Sequence, residues 1–391
     1  MIEKALKGKP AYWMWLAILG VFIVIGAVCY LRQYMIGLGL TGMGRDLSWG
    51  LYISQFTFLV GVAAGGLMLV LPYYVHNYKA FGRITILGEF LAISAILMCL
   101  MFIMADIGQP LRGLNMMLHP TPNSMLFWDM VVLLGYLTLN IICGWVILTA
   151  ERKQVKPPKW VYIFVYISIP FAVSIHTVTA MLYMGLPGRH FWLTAITAPR
   201  FLASAFAAGP ALIVLACLVM KRVANFDVGK EAINKIATII MYAAIINGFF
   251  VLLEFFVGYY SQIPGHIHSL QYLFFGLEHH GHVYNNLVPF MWTFAIFCVG
   301  GLGLLAYGKI KDRMTDGLVA TACAMIFIGL YLDKGLGFVL GGLVVSPLHE
   351  INEYLPTANE IGITLGIWAT GFFVLTLLYK IALGVEHEIE S

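Results

Sequence analysis

Long apolar runs separated by short polar connections dominate the pattern along this chain. Ten runs are long enough to cross a bilayer, which takes about 20 apolar residues in a helix. Their bounds are 12–31, 50–75, 84–106, 126–150, 160–184, 198–220, 235–258, 286–308, 317–334 and 362–384. The glycine-rich stretch 335–345 either extends the ninth run or forms a re-entrant segment. The pattern predicts an all-α integral membrane protein with ten transmembrane helices.

Composition agrees with this prediction. The chain is 61% hydrophobic and 11% charged, whereas a soluble domain carries about 25% charged residues. The basic amino terminus followed by an apolar run resembles a signal peptide. The run is too long, however, and no small-residue cleavage site follows it, so we expect a retained first helix.

The basic residues predict the orientation of the chain. With ten spans, 17 of the 23 Lys and Arg residues fall on the side that holds both termini. The positive-inside rule then places both termini in the cytoplasm, and we expect a multi-pass protein of the inner (cytoplasmic) membrane. The basic residues on the outward side, span ends included, are Arg32, Arg45, Arg112, Arg189, Arg200 and Lys334.

Two sequence matches indicate an internal repeat. The tripeptide Ala-Ala-Gly occurs at 63–65 and again at 207–209, and the third and seventh spans end outward at Asp106 and Glu254. An offset of four spans predicts a parallel repeat of two four-helix bundles, although small residues also recur by chance wherever helices pack closely. The predicted units are a peripheral helix with its loop at 1–48, bundles at 49–197 and 198–345, and a loop with a peripheral helix at 346–391.

Ionisable residues inside apolar spans are costly and are therefore functional candidates. His176 is the only histidine within a span, and Glu89 lies in the cytoplasmic half of its span. Ordinary interfacial placement is the competing explanation for the acids at outward span ends. Those acids are Asp106, Asp129, Glu254 and Asp333.

This inventory limits the redox chemistry. A bis-histidine haem needs two histidines, and the spans contain only one. The second axial ligand of a haem would therefore have to be a methionine. All six cysteines lie in apolar runs without CxxC spacing, so we expect no iron–sulfur cluster, thiolate zinc site or haem in this chain. Acids gathered at one face suit a hydrophobic carrier of two electrons and two protons, such as a quinone, whose carbonyls need a donor and a nearby acid.

The outward loop after the seventh span is rich in histidine. Its spacing matches no zinc motif, so we expect no metal there. A partner-docking or site-covering loop is the preferred interpretation, and a solvated surface is the alternative. The residues concerned are His266, His268, Glu278, His279, His280 and His282.

The structured connection from Asp106 to Asp129 carries a motif. Asp106-x-Gly108-x-Pro110-x-Arg112 is followed by Pro-Asn-Ser-Met at 122–125 and by Trp128. Further segments match in order, and the whole resembles the NrfD/PsrC family of polysulfide reductase-type membrane subunits over roughly 49–261. These segments are Trp49-Gly50, His176-Thr177-Val178-Thr179 and Glu254 with Tyr259-Tyr260-Ser261.

The resemblance implies a subunit that is not catalytic alone and that reacts with menaquinone near the outward face. Ten spans point to the longer, DsrP-type members, found in the sulfite-reduction-associated DsrMKJOP complex. The partners implied are an extracytoplasmic ferredoxin-like iron–sulfur subunit, a multihaem cytochrome c, and a second membrane subunit that faces a cytoplasmic catalytic subunit. Respiration of sulfite or sulfate is the implied setting.

Roles follow as hypotheses. His176 hydrogen-bonds a quinone carbonyl, and Asp106 and Glu254 exchange protons with it. Arg112 and Arg189 pair with these acids or stabilise charge on the quinone, although Arg112 could instead tie its loop to Asp106. The other candidates are Tyr52, Gln55 and Tyr259 in the pocket, and Asp129 and Glu89 in proton transfer.

Several functional interpretations stay open at this point. Glu89 belongs either to a proton half-channel or to a buried hydrogen bond between helices. A secondary transporter or proton channel without a redox role, and a structural membrane anchor, are alternatives to the quinone reaction. Neither the direction of electron flow nor the type of quinone follows from the sequence.

Overall fold

Ten helices in this computed structural model are long and apolar enough to cross a membrane, within the described residues 2–348 and 350–390. The prediction of an all-α membrane protein is therefore confirmed. In chain order, α1 to α10 are Pro10–Ile36, Leu51–Val75, Lys79–Asp106, Met125–Arg152, Lys159–Met184, Thr197–Ala224, Lys230–Ser261, Val288–Ile310, Asp316–Val344 and Ala358–Glu388.

The ten spans form two closed rings of four helices with an added pair. Helices α2 to α5 contact one another in order, and α5 returns to α2. Helices α6 to α9 close in the same way, and α2 packs against α6 between the rings. Helices α1 and α10 pack along each other, and α10 also lies against α3. Both added helices therefore flank the first ring.

The contact between α2 and α6 is very close because glycines face each other. A Cβ atom added to Gly65 would lie 2.5 Å from the Cα atom of Gly209, and one added to Gly61 would lie 3.6 Å from the Cβ atom of Ala205. Both pairs join positions that the predicted repeat makes equivalent. Equivalent positions meet in this way where a two-fold axis passes between two repeats. The contacts therefore support the repeat, which stays a prediction.

Helix α9 resolves the ambiguity about the ninth span. It is continuous to Val344, so the glycine-rich stretch extends the span. Its middle, Tyr331–Gly337, is π-helical, between α-helical segments Asp316–Leu330 and Phe338–Val344. π-Helical turns are rare and occur frequently at functional sites. Here the turn buries Asp333 and Lys334.

Because the number of spans is even, both termini lie on one face, called here the terminal face; the opposite one is the distal face. The distal face carries the loop helix Pro264–Phe274 and a hairpin of β1 (Leu277–His279) and β2 (His282–Tyr284). It also carries the described residues 345–348 and 350–357, called here the outer strap. The connection after Asp106 folds into single-turn helices at Pro110–Gly113 and Asn115–Leu118.

Candidate functional site

Three charged side chains form a buried ion cluster in the second ring. Arg200 of α6 is paired with Glu254 of α7 and with Asp333 of α9, where Nη2 lies 2.6 Å from Oδ1. All three side chains are buried. Charges in a low-dielectric interior must be paired, because an unpaired charge there is strongly destabilising. The cluster thus fixes the relative positions of three helices.

Lys334 and His176 adjoin this cluster. The Lys334 ammonium contacts Nε2 of His176 and lies 4.4 Å from the ring centroid of Phe201. Nε2 of His176 also lies 2.6 Å from the Phe201 carbonyl oxygen, while Nδ1 is buried with no hydrogen-bond partner among the described residues. Gly61 makes room for the pair, since a Cβ atom there would lie 2.8 Å from the Lys334 nitrogen.

A column of polar side chains runs from His176 toward the distal face. His176, Thr179 and Tyr183 share one face of α5 by their helical spacing. The Thr179 hydroxyl donates to Oδ1 of Asp129 at 2.7 Å, and the Tyr183 hydroxyl contacts the hydroxyl of Thr57. The column therefore joins the buried ion cluster to the outer end of the first ring.

A cavity of about 310 Å³ lies beside the outer end of this column. Its aromatic walls are Trp49 and Trp192, whose ring centroids lie 5.5 Å and 4.9 Å from that of Tyr183. Arg189 also lines it. The full lining is Ser48, Trp49, Leu186, Pro187, Gly188, Arg189, Trp192 and Leu343.

Arg189 holds together the segments around the cavity. Its guanidinium donates to the carbonyl oxygens of Leu343 at 2.9 Å and Asp46 at 2.7 Å. Burial lowers the pKa of Arg189, and the charge of Asp46 acts in the opposite direction. The predicted pairing of Arg189 with the candidate acids Asp106 and Glu254 is absent from the part of the chain that the structure describes.

Two predicted pocket residues form hydrogen bonds away from the column. The Tyr52 hydroxyl donates to Gln33 of α1 at 2.6 Å. The Gln55 amide donates to Tyr331 at 2.6 Å and accepts from Trp368 of α10 at 2.9 Å. Both side chains are buried. Their bonds connect the first ring to α1, α9 and α10.

Three further candidates lie apart from the cavity lining. Asp106 is half-buried at the end of α3, and its Oδ1 atom has no hydrogen-bond partner among the described residues. Arg112 is exposed, and it forms no ion pair with Asp106 in the described chain. Tyr259 lies near the surface of α7, stacked on Phe255. The suggested tie between Arg112 and Asp106 is thus not formed.

Glu89 is buried near the terminal face, well separated in the fold from the ion cluster. Its Oε2 atom has no hydrogen-bond partner within the described residues, and a Cβ atom added to Gly144 of α4 would lie 3.3 Å from it. A cavity of about 340 Å³ is lined by Ile86 and Leu87, on the same helix, and by Glu151. The sequence leaves open that a buried hydrogen bond between helices accounts for the position of Glu89. Its Oε2 atom makes no such bond with any residue that the structure describes.

The sequence interpretation missed two basic members of the site. By sequence, Arg200 and Lys334 count as outward, span-end charges, but both are buried inside spans. The signal that could have identified them is the same one that identified the acids, namely a charge within an apolar run. Extending the ninth run from 334 to 345 would have moved Lys334 from its end to its interior.

Comparison with known proteins places this chain in a family. The family described as "Polysulphide reductase, NrfD" matches residues 39–332. The chain belongs to this family. The predicted resemblance is therefore confirmed, whereas the narrower DsrP-type assignment stays a prediction.

Two relatives of this NrfD-family chain align over nearly its whole length. A putative dimethyl sulfoxide reductase membrane subunit of Halobacterium salinarum is 25% identical, with 92% of this chain and 89% of that protein covered. The menaquinone reductase integral membrane subunit of Nitratidesulfovibrio vulgaris is 23% identical, with 94% and 91% covered. The solved structure of bd oxidase from Geobacillus thermodenitrificans shares the fold, with a TM-score of 0.56, 9% identity, and 94% and 98% coverage.

Proposed function

We propose that this NrfD-family protein is the quinone-reacting membrane subunit of a respiratory oxidoreductase complex. The observation that carries the proposal is the cavity at the outer end of a polar column that leads to a buried ion cluster. A volume of about 310 Å³ lies within the range of small-molecule pockets, about 300–1,000 Å³. A relative named as a menaquinone reductase subunit supports menaquinone as the substrate.

The residues around the cavity fit a quinone head group. The indoles of Trp49 and Trp192 offer flat apolar walls, and Arg189 supplies positive charge at the rim. Bound menaquinone would supply the two-electron, two-proton chemistry. The chain would orient the ring against the indoles, whose centroids lie only 5.8 Å apart, and pass protons through the hydroxyls of Tyr183 and Thr57.

His176 takes a different role in this proposal from the one that the sequence suggested. It lies at the inner end of the column in contact with Lys334. It would therefore relay protons between the column and the ion cluster of Glu254 and Asp333, and Asp129 would serve as a side branch through Thr179. Direct contact with a quinone carbonyl falls instead to groups nearer the cavity.

Electrons would pass between the quinone and partner subunits. We infer an extracytoplasmic ferredoxin-like iron–sulfur subunit docked on the distal face, with a multihaem cytochrome c beyond it. A second membrane subunit would link the complex to a cytoplasmic catalytic subunit in sulfite or sulfate respiration. These partners rest on the resemblance to DsrP-type members and on the need for a redox partner.

Menaquinol oxidation by the purified complex tests the proposal. His176→Ala should lower kcat by about 100-fold or more, the usual contribution of general acid–base groups, while the complex still assembles. Trp192→Leu should mainly raise KM, because it removes one wall of the cavity. His119→Ala, which removes an exposed histidine outside the candidate site, is the matched control and should leave both constants unchanged. Unchanged turnover in His176→Ala, together with no menaquinone in the purified complex, would favour an anchor or a transporter.

Glu89 carries a second proposal, that protons enter from the cavity at the terminal face. Ile86 and Leu87 line that cavity within one turn of Glu89. In vesicles containing the complex, Glu89→Gln should retain electron transfer and abolish charge translocation, because an amide cannot accept and release a proton. Charge translocation at the parental rate in Glu89→Gln would contradict this half-channel.

A further inference from the structure

A group of potential metal ligands lies on the distal face, outside the cavity and the polar column. His279, His280 and Glu350 place one ligand atom each within 4.8 Å of one another. The histidines belong to the hairpin and the glutamate to the outer strap. The two segments are therefore brought together by the fold from positions about 70 residues apart.

The hairpin presents its two histidines in a defined geometry. His279 pairs with His282 across the strands, and the residues between them, His280 and Gly281, have φ angles of 51° and 77°. Positive φ at both central positions is typical of a tight type I′ turn. The imidazole centroids of His279 and His280 lie 4.0 Å apart. Both rings thus project from a short, constrained turn.

The outer strap holds Glu350 in a hooked turn. The Glu350 amide donates to the Ser346 hydroxyl at 3.0 Å, and its carbonyl accepts from the Ser346 amide at 2.8 Å. Glu353, further along the strap, accepts from the Tyr272 hydroxyl at 3.1 Å and from the Asn286 amide at 2.8 Å. The strap is thereby fixed to the loop helix and to the end of the hairpin.

We propose that His279, His280 and Glu350 bind a divalent transition-metal ion, with Zn²⁺ as the chemical match. Two imidazoles and a carboxylate are a common zinc ligand set, and water completes the tetrahedron. Zinc bonds of 2.0–2.1 Å would separate the ligand atoms by about 3.4 Å. The ligand atoms lie within 4.8 Å of one another here, and rotation about side-chain torsions can bring them to the shorter zinc spacing. Such rotation is possible because the His280 and Glu350 side chains are exposed.

Such an ion would act as a clip between the hairpin and the strap. All six cysteines lie within apolar runs, so these distal segments cannot be joined by a disulfide. A metal that closes the long loop between 280 and 350 restricts the unfolded chain and orders the distal face. From the sequence we expect no metal, because that expectation considers only the spacing of residues within the histidine-rich loop. The third proposed ligand comes from the outer strap, which that spacing does not include.

Metal titration of the tag-free, full-length protein in detergent tests the clip. After treatment with a chelator, the parent should bind one Co²⁺ per chain, with visible absorption that Zn²⁺ displaces, and Zn²⁺ should raise its thermal unfolding midpoint. His280→Ala and Glu350→Gln should each weaken Zn²⁺ binding at least tenfold and lose the shift of the midpoint. His119→Ala, which removes an exposed histidine from another connection, is the control and should bind as the parent does.

Two outcomes would overturn the proposal. One is the absence of stoichiometric binding by the parent. The other is parental Zn²⁺ affinity in either His280→Ala or Glu350→Gln. Because both side chains are exposed, neither substitution should prevent folding, and the unfolding midpoint measured without metal verifies this directly.

Discussion

At the scale of residues, charge pairing inside the membrane is the defining feature. Arg200 forms ion pairs with two acids on two other helices, and Lys334 lies against His176 and the aromatic ring of Phe201. The sequence identified Glu254 and His176 as candidates, because a charge or imidazole in an apolar run is conspicuous. It could not identify their partners, since Arg200 and Asp333 are 133 residues apart in the chain.

Arg200→Met should strongly destabilise the protein. The substitution removes the one cation that is paired with both Glu254 and Asp333, and breaking a buried ion pair costs about 3–5 kcal/mol. The triple variant Arg200→Met/Glu254→Gln/Asp333→Asn removes all three charges together and should recover most of that loss. Thermal unfolding in a fixed detergent measures both.

Arg32→Ala serves as the control for this comparison, because Arg32 is exposed on α1 and its variant should unfold with the parent. If the single Arg200 variant proved as stable as the triple variant, the acids would not depend on Arg200 for their charge compensation.

At the scale of elements, close helix packing and one irregular turn position the site. Glycines allow α2 and α6 to meet at backbone distance, which brings the two rings together beside His176. The π-helical turn of α9 directs Asp333 and Lys334 inward. Small-residue motifs in the sequence indicated a repeat. They could not show that the two copies contact each other.

Gly65→Ala should lower stability by about 1–3 kcal/mol, the usual effect of overpacking. The new methyl group would meet the backbone of Gly209, which cannot rotate away as a side chain can. Gly248→Ala is the matched control, because a Cβ atom there meets nothing within 4 Å. That variant should be neutral or slightly stabilising. Equal unfolding midpoints for the two variants would show that the crossing tolerates a methyl group.

At the scale of the whole molecule, the distal face gathers the functional features. The proposed quinone cavity, the loop helix, the hairpin and the outer strap all lie on that face, while the second cavity lies at the terminal face beside Glu151. This polarity suits a protein that exchanges electrons on one side and takes up protons from the other.

Reporter fusions test the predicted orientation. A fluorescent protein fused to the carboxyl terminus should fluoresce, because the basic residues of the terminal face are expected in the cytoplasm. Alkaline phosphatase inserted after His119 should be active, because its disulfides form only in an oxidising, extracytoplasmic compartment. The opposite pair of results would invert the orientation and, with it, the assignment of the outward face.

The sequence by itself determined the fold class, the ten spans and the family. Bilayer thickness imposes a fixed apolar length on every span, so these features are encoded locally along the chain. Only the tertiary structure decided which polar side chains contact one another. Tyr52 and Gln55 bond toward neighbouring helices, whereas Lys334 contacts His176 and Glu350 approaches the hairpin. Such pairings depend on how distant helices pack and on the register of one π-helical turn, and no local pattern encodes either.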